Sequence, residues 1–285
     1  MQNEQQPSQR RQAVSLHADN SLPSRRQVLG GGLAALALGA ASFRFPAAAG
    51  AQDAASPATD VCVLTPQQTA GPFYLPLDLI RQDITEDRSG VPLRLRIAVA
   101  DVNACAPLAN AAVDIWHCDA QGFYSGVAAE PGGNADPAAG DPSGTFLRGL
   151  QLTGEDGIAE FDTIYPGWYP GRTIHIHMAV FAGGEAELLD PAPPAGEDAG
   201  SYTGGHVSHI GQLYFDDALS DEVFATAAAY AGRDNARRTR NDGDGILGNY
   251  LDEPGFILTI SPLGESLADG LLGEITVGVD PNATR

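Results

Sequence analysis

Residues 163–180 read TIYPGWYPGRTIHIHMAV. The second half, from Thr173, alternates polar and apolar residues at the two-residue period of a strand. On such a strand His175 and His177 share one face, while Ile174, Ile176 and Met178 take the other and turn into a core. Two imidazoles about 7 Å apart along one strand reach a common point, so the face that carries them is a candidate metal face. The first half is a Pro/Gly-rich turn carrying Tyr165, Trp168, Tyr169 and Arg172.

Working outward, short β-rich runs recur between Gly, Pro and Asp turns. LRLRIAVAD (93–101) and AAVDIWHCD (111–119) alternate, and the spacing between them suits a hairpin. TFLRGLQLT (145–153), IAEFDTI (158–164), TIHIHMAVF (173–181), IGQLYFD (210–216), GFILTISP (255–262) and EITVGVD (274–280) complete a set of about eight strands. One helix is expected, over 216–232, with Ser220 and Asp221 as candidate caps and Gly232 as its stop. Residues 126–144 and 183–205 are long, Gly/Pro/Asp-rich loops. The expectation is one all-β domain over residues 62–285, a β-sandwich with long loops and one short helix.

The N-terminus reads as an address. Arg25 and Arg26 precede an apolar Gly/Ala/Leu run and small-residue cleavage sites near Ala47–Ala51. Residues 1–51 therefore read as an export signal resembling the twin-arginine type, and 52–61 as a flexible lead-in. The apolar run is too short for a stable membrane span. The chain has no lysine, 16 arginines, 36 acids and a formal net charge of -20. Such a surface repels nucleic acid and anionic membranes. Of Cys62, Cys105 and Cys118, a hairpin would hold the last two too far apart to bridge, which points to Cys62 as the partner of one of them.

Tyr124, in AQGFYSG, adds a third phenol to Tyr165 and Tyr169. Phenolate oxygen with imidazole nitrogen suits Fe(III) better than Zn(II) or Cu(I). At this point the set TAGPFYLP (69–76), VDIWHCDAQGFYSG (113–126), FLRGLQLTGEDGIAEFDTIYPGWYPGRTIHIHMAV (146–180) and GQLYFDD (211–217) resembles the intradiol ring-cleavage dioxygenases, in their exported single-domain branch. The resemblance implies a non-haem Fe(III) centre on Tyr124, Tyr169, His175 and His177. It implies that Arg172 and Gln212 flank the substrate and that Tyr169 is displaced when a catechol binds. Thr69, Gly71, Pro72 and Tyr74 would line the cavity mouth. Tyr165 reads as a pocket-wall residue or a packed turn aromatic, and His209 as a substrate contact or a surface or outer-shell residue. The implied reaction uses a catechol and O2, needs no organic cofactor and gives a cis,cis-muconate-type dicarboxylate.

Other readings stand beside this one. A non-catalytic exported sandwich module would share the fold but not the Tyr/Tyr/His/His set. A cupin-like or extradiol Fe(II) site would want a carboxylate close to the H-x-H, and Met178–Val180 offer none. His117 reads as a hydrogen-bonded strand residue. NDGDGILG (241–248) fails the EF-hand pattern, with Arg240 and Leu251 at positions one and twelve, and reads as a turn. The ring substituent, the oligomeric state and the cysteine pairing stay open.

Overall fold

Strand β1 (Pro92–Asp101) is the axis of the first sheet. Leu93, Leu95, Ile97 and Val99 alternate inward along it, while Arg94 and Arg96 face out. It pairs in parallel with β11 (Leu271–Val279) and antiparallel with β7 (Ile158–Ile164). The short β2 (Ala106–Pro107) and β10 (Thr259–Pro262) complete this sheet. The second sheet has the order β6 (Arg148–Leu152), β3 (Ala112–Trp116), β8 (His175–Leu188) and β9 (Gly200–Tyr214). A small pair, β4 (Tyr124–Ala128) and β5 (Ala139–Gly140), stands apart. This computed structural model describes residues 63–128, 139–140, 142–232, 236 and 238–285. The export signal, the lead-in, Cys62 and part of the loop read at 126–144 lie outside them.

The two sheets share one core. Leu93, Leu95, Ile97 and Val99 of the first meet Val113, Ile115, Ile176, Met178, Val180 and Leu213 of the second. Each such fully buried aliphatic side chain contributes about 1.5–3 kcal/mol. The all-β sandwich expected from the sequence is the fold observed. All eight expected strands are present. β2 and β5, two residues each, are too short to carry a periodic signal, and β4 is not among the strands expected from the sequence.

Three local expectations are corrected. β1 and β3 do not form a hairpin: they lie in different sheets, β1 against β2, β7 and β11 and β3 against β6 and β8. The stretch read as a loop at 183–205 is largely strand, because β8 and β9 pair from His175↔Tyr214 out to Leu188↔Gly200. The helix α1 spans Asp217–Thr226, shorter than 216–232, and its cap is Asp216, whose carboxylate accepts from the backbone of Ala218 and Leu219. Ser220 is buried inside the helix and donates back to the Asp216 carbonyl. Cys105 is disulfide-bonded, and Cys118 is a buried thiol outside any disulfide.

What sets up the site is the covering of the second sheet's outer face. Gln68 donates its backbone N–H to Ile210 at the β9 edge. Ile80 bridges Leu150 at the β6 edge, where Arg81 N–H and Leu150 N–H complete the pairing. The segment between them therefore crosses the face from one edge to the other. Both faces of β8 are buried from His175 to Val180 as a result.

Candidate active site

The strand period places His175 and His177 on the covered face of β8, and both are buried. Their cross-strand neighbours frame them. Trp116 of β3 pairs with His177 and lies flat on its ring, at 5.1 Å between centroids and 2° between planes. Gln212 of β9 pairs with His177 on the other side. His175 donates from Nδ1 to the Thr173 carbonyl at 2.7 Å, which leaves its Nε2 lone pair facing the site. There it lies 3.1 Å from His177 Nε2 and 3.1 Å from the Tyr169 hydroxyl.

The two tyrosines arrive on turns that are tied together. The Asp119 carboxylate accepts from the backbone of Gln121 and Phe123, shaping the turn before Tyr124. The Asp119 carbonyl accepts from Gly167 N–H at 3.0 Å, pinning the turn that carries Tyr169. The Tyr124 ring lies 5.9 Å from Tyr169 and 6.1 Å from His177. Its hydroxyl is buried and finds no hydrogen-bond partner, an arrangement that costs about 1–3 kcal/mol unless something else is bound there.

Burial, followed by the nearby Arg172 guanidinium, pushes His175 down to about 3. Burial and then His175 hold His177 well below its ordinary range. Burial and then Tyr169 raise the Tyr124 phenol well above its ordinary range. The site therefore gathers two neutral imidazoles, already in ligating form, and a Tyr124 phenol that a bound cation would draw into its phenolate form. Two nitrogens each about 2.1 Å from one ion, at a near-right angle, stand roughly 3 Å apart, and the two Nε2 atoms match that spacing. No cluster of three His, Cys, Asp or Glu side chains suited to a metal exists among the described residues. The donor set is two phenols and two imidazoles, which fits ferric iron and not a two-histidine, one-carboxylate centre.

Arg172 borders this set. Its Nη1 is 3.4 Å from His175 Nε2, its Nη2 donates to Gln212 Oε1 at 2.5 Å, and its Nε donates to Asp244 at 2.9 Å. Gln212 in turn donates to the Thr69 carbonyl at 2.8 Å and accepts from the Tyr214 hydroxyl at 3.0 Å. Thr69 turns the covering segment by accepting from Gly71 N–H. Gly71 has φ +70°, and a Cβ there would stand 3.1 Å from His177 Cε1, so the roof rests directly on the His177 ring. Pro72 is exposed just beyond it. Tyr74 packs on Trp116 at 4.7 Å.

Two expected pocket residues lie elsewhere. Tyr165 is buried in the inter-sheet core, against Phe215 at 4.4 Å and bonded to Ser220 at 2.7 Å. A Pro/Gly turn has no period to say which way a ring points, and this one turns inward. His209 pairs with Val180 and so takes the core-side face of β9, opposite to Gln212. It lies three residues from Gln212, an odd separation that puts the two on opposite faces. His117 bonds to the Cys118 carbonyl and to Thr163 Oγ1, the structural role expected of it.

Comparison with known proteins now decides the family. A family model described as Dioxygenase matches residues 70–241. An intradiol ring-cleavage dioxygenase from Tetranychus urticae is 32% identical, covering 79% of this chain and 98% of its own, with a TM-score of 0.62. The chain belongs to the intradiol ring-cleavage dioxygenase family. Among curated relatives of this intradiol dioxygenase, catechol 1,2-dioxygenase 1 of Acinetobacter lwoffii is 34% identical over 41% of this chain and 36% of the relative. Catechol 1,2-dioxygenase of Acinetobacter baylyi is 29% identical over 51% of each. The matches thus span between about a third and a half of those relatives' length.

Three residues of the intradiol dioxygenase site escape a reading of the sequence by motif. Phe73 stacks on Tyr124 at 4.5 Å and meets Tyr169 edge-on at 6.1 Å. Trp116 backs His177, and its signal was available in the shared strand register. Asp244, 72 residues from Arg172, carries no local signal except that a buried arginine needs a counter-charge.

Proposed function

We propose that this dioxygenase holds ferric iron on Tyr124, Tyr169, His175 and His177 and cleaves a catechol between its two hydroxylated carbons. Both atoms of O2 enter the product, a cis,cis-muconate-type dicarboxylate. The observation that carries the reading is that the His177 Nε2 atom and the Tyr169 hydroxyl each lie 3.1 Å from His175 Nε2, beside a second buried phenol whose hydroxyl has no hydrogen-bond partner. Held by these four residues, ferric iron would supply a Lewis-acid centre for a catecholate and would withdraw electron density from its ring, which readies the ring for O2.

The protein's own groups do the rest. Tyr169 sits at the more open side of the site, at 7% exposure against 0% for Tyr124. It is the phenolate suited to leave and take a catechol proton, while Tyr124 stays in place. Thr173 fixes the His175 tautomer through its carbonyl. Arg172 presents Nη1 toward the ligand cluster, where a guanidinium stabilises negative charge developing on ring and oxygen. Gln212 spends both ends of its amide within the protein, so it aligns Arg172 and ties it to the roof. Phe73, Trp116 and the Thr69–Tyr74 segment exclude water from the site.

Cations are scarce, 16 arginines against 36 acids, which supports a catechol without an anionic ring substituent. For location, the Arg25–Arg26 pair ahead of an apolar run supports export by the twin-arginine route. No helix among the described residues is long and apolar enough to cross a membrane.

The test is anaerobic titration of purified, iron-loaded protein with catechol, 4-methylcatechol and protocatechuate, followed by oxygen and product analysis. The expected result is a catecholate-to-iron colour change and a muconate-type product from the first two. A colourless protein, or products opened beside the diol, would overturn the assignment.

A further inference from the structure

The strongest unassigned feature is the carboxylate of Asp244, in the NDGDGILG stretch that sequence reading leaves as a plain turn. Its side chain has no exposed surface. It accepts from five N–H groups: Arg172 Nε at 2.9 Å, Arg172 Nη2 at 3.5 Å, Thr173 N at 2.8 Å, and Ile246 N and Leu247 N at 2.9 Å each. The last two bonds anchor the carboxylate to its own turn. The first three aim it at the residues that lead into the ligand strand. The neighbouring Asn241 adds a bond from Thr173 Oγ1 to its side-chain oxygen at 2.6 Å.

The geometry points to Asp244 as the positioning residue for Arg172. A guanidinium has a planar fork of five donors, and fixing one edge fixes where the other points. Asp244 holds the Nε edge, Gln212 takes Nη2, and Nη1 is left directed at the ligand cluster. The pairing also answers an electrostatic problem. An unscreened guanidinium 3.4 Å from an imidazole that ligates a trivalent cation would repel that cation. A buried, fully hydrogen-bonded carboxylate on the far side offsets that charge, and Arg172 with the backbone donors holds its pKa below the ordinary carboxylate range despite burial. Asp244 thus acts on the reaction through Arg172 without touching substrate or metal.

This inference rests on the ring-cleavage reading above, and its test separates the two. The design is a double-mutant cycle with Asp244→Asn and Arg172→Gln in the iron-loaded full chain. Two quantities are read: steady-state kcat and KM with catechol, and the dissociation constant and visible band of 4-nitrocatechol bound anaerobically. Asp244→Asn is expected to lower kcat by about ten- to a hundredfold with KM within roughly twofold, the scale of lost orienting partners at metal sites. In the Arg172→Gln background the same substitution is expected to change kcat and 4-nitrocatechol affinity by less than about twofold. Equal losses in both backgrounds would overturn the proposal, because they would show an effect independent of Arg172. Should Asp244→Asn fail to fold, Asp244→Glu keeps the charge and displaces it by one methylene. Parental kcat and band position in Asp244→Glu would then count against the proposal, and a loss confined to the Arg172 background would support it. A parent that binds 4-nitrocatechol but cleaves no catechol sinks the activity reading alone; the cycle is then judged on the 4-nitrocatechol band, which Asp244→Asn should shift in the Arg172 background and leave in place in the Arg172→Gln background, equal shifts in both overturning the proposal.

Discussion

The outer faces of the two sheets make an instructive pair. On the first, β1 sends Arg94 and Arg96 into water, where they meet Asp162 at 3.1 Å, Glu160 at 2.8 Å and Glu274 at 2.9 Å. On the second, β3 and β8 send Asp114, Trp116, His175 and His177 outward into a layer of protein, and all four are buried. Both faces obey the same two-residue period. They differ in what lies above them, solvent in one case and the segment from Gln68 to Ile80 in the other. Charges facing water form pairs that are screened and weak. Polar groups under a cover must find partners or hold a ligand.

The largest effect should come from removing a ligand on the covered face. His177→Ala is expected to lower iron content well below one per chain and cut turnover at least about a hundredfold. Metal analysis with the visible spectrum checks it. Full iron and colour in the variant would remove the distinction between the faces.

An intermediate effect belongs to Asp114. Burial, then the charge of Asp78, pushes its carboxyl up to about 8. An unfolded aspartate titrates near about 3.9. Between those values the folded state holds the proton that the unfolded state has released, so stability present at low pH is lost as pH rises toward 8. Asp114→Asn should flatten that part of the profile, read as the difference in melting temperature between variant and parent from pH 4 to 8. Parallel profiles would show Asp114 to be ionised like a surface acid.

The smallest effect is expected on the exposed face. Arg96→Ala breaks two ion pairs, yet should cost less than about 1 kcal/mol in denaturant unfolding and leave iron content unchanged. A cost above about 2 kcal/mol would mean that the exposed network behaves like the buried one.

Much of this contrast was legible in the sequence, for a physical reason. Period-two alternation gives the parity of every residue on β1 and β8, and so placed His175 and His177 together and Ile176 and Met178 in the core. Tyr124, Tyr169, Arg172 and Gln212 were found because the whole motif set resembles one family. Parity cannot say whether a face is covered. Hence the role of the Gln68–Ile80 crossing, the stacking of Phe73 on Tyr124 and the buried state of Asp114 needed the structure. Parity also fails in turns, so it cannot choose between the two readings of Tyr165, and the structure selects the packed turn aromatic. For His209 it was available and gives the core-side face. Asp244 was invisible because a counter-charge 72 residues away leaves no periodic trace.

Cys118 sits where these arrangements meet. Its thiol is packed among Trp116, Tyr124 and Tyr169 and directed at the Gly167 carbonyl at 3.4 Å, across the joint between the two tyrosine turns. With 1% of its surface exposed, it meets a solution reagent only when that joint parts. Its alkylation rate is therefore a clock for the breathing of the ligand shell. Under the proposed coordination by Tyr124 and Tyr169, iron loading should slow that clock without any contact to the sulfur.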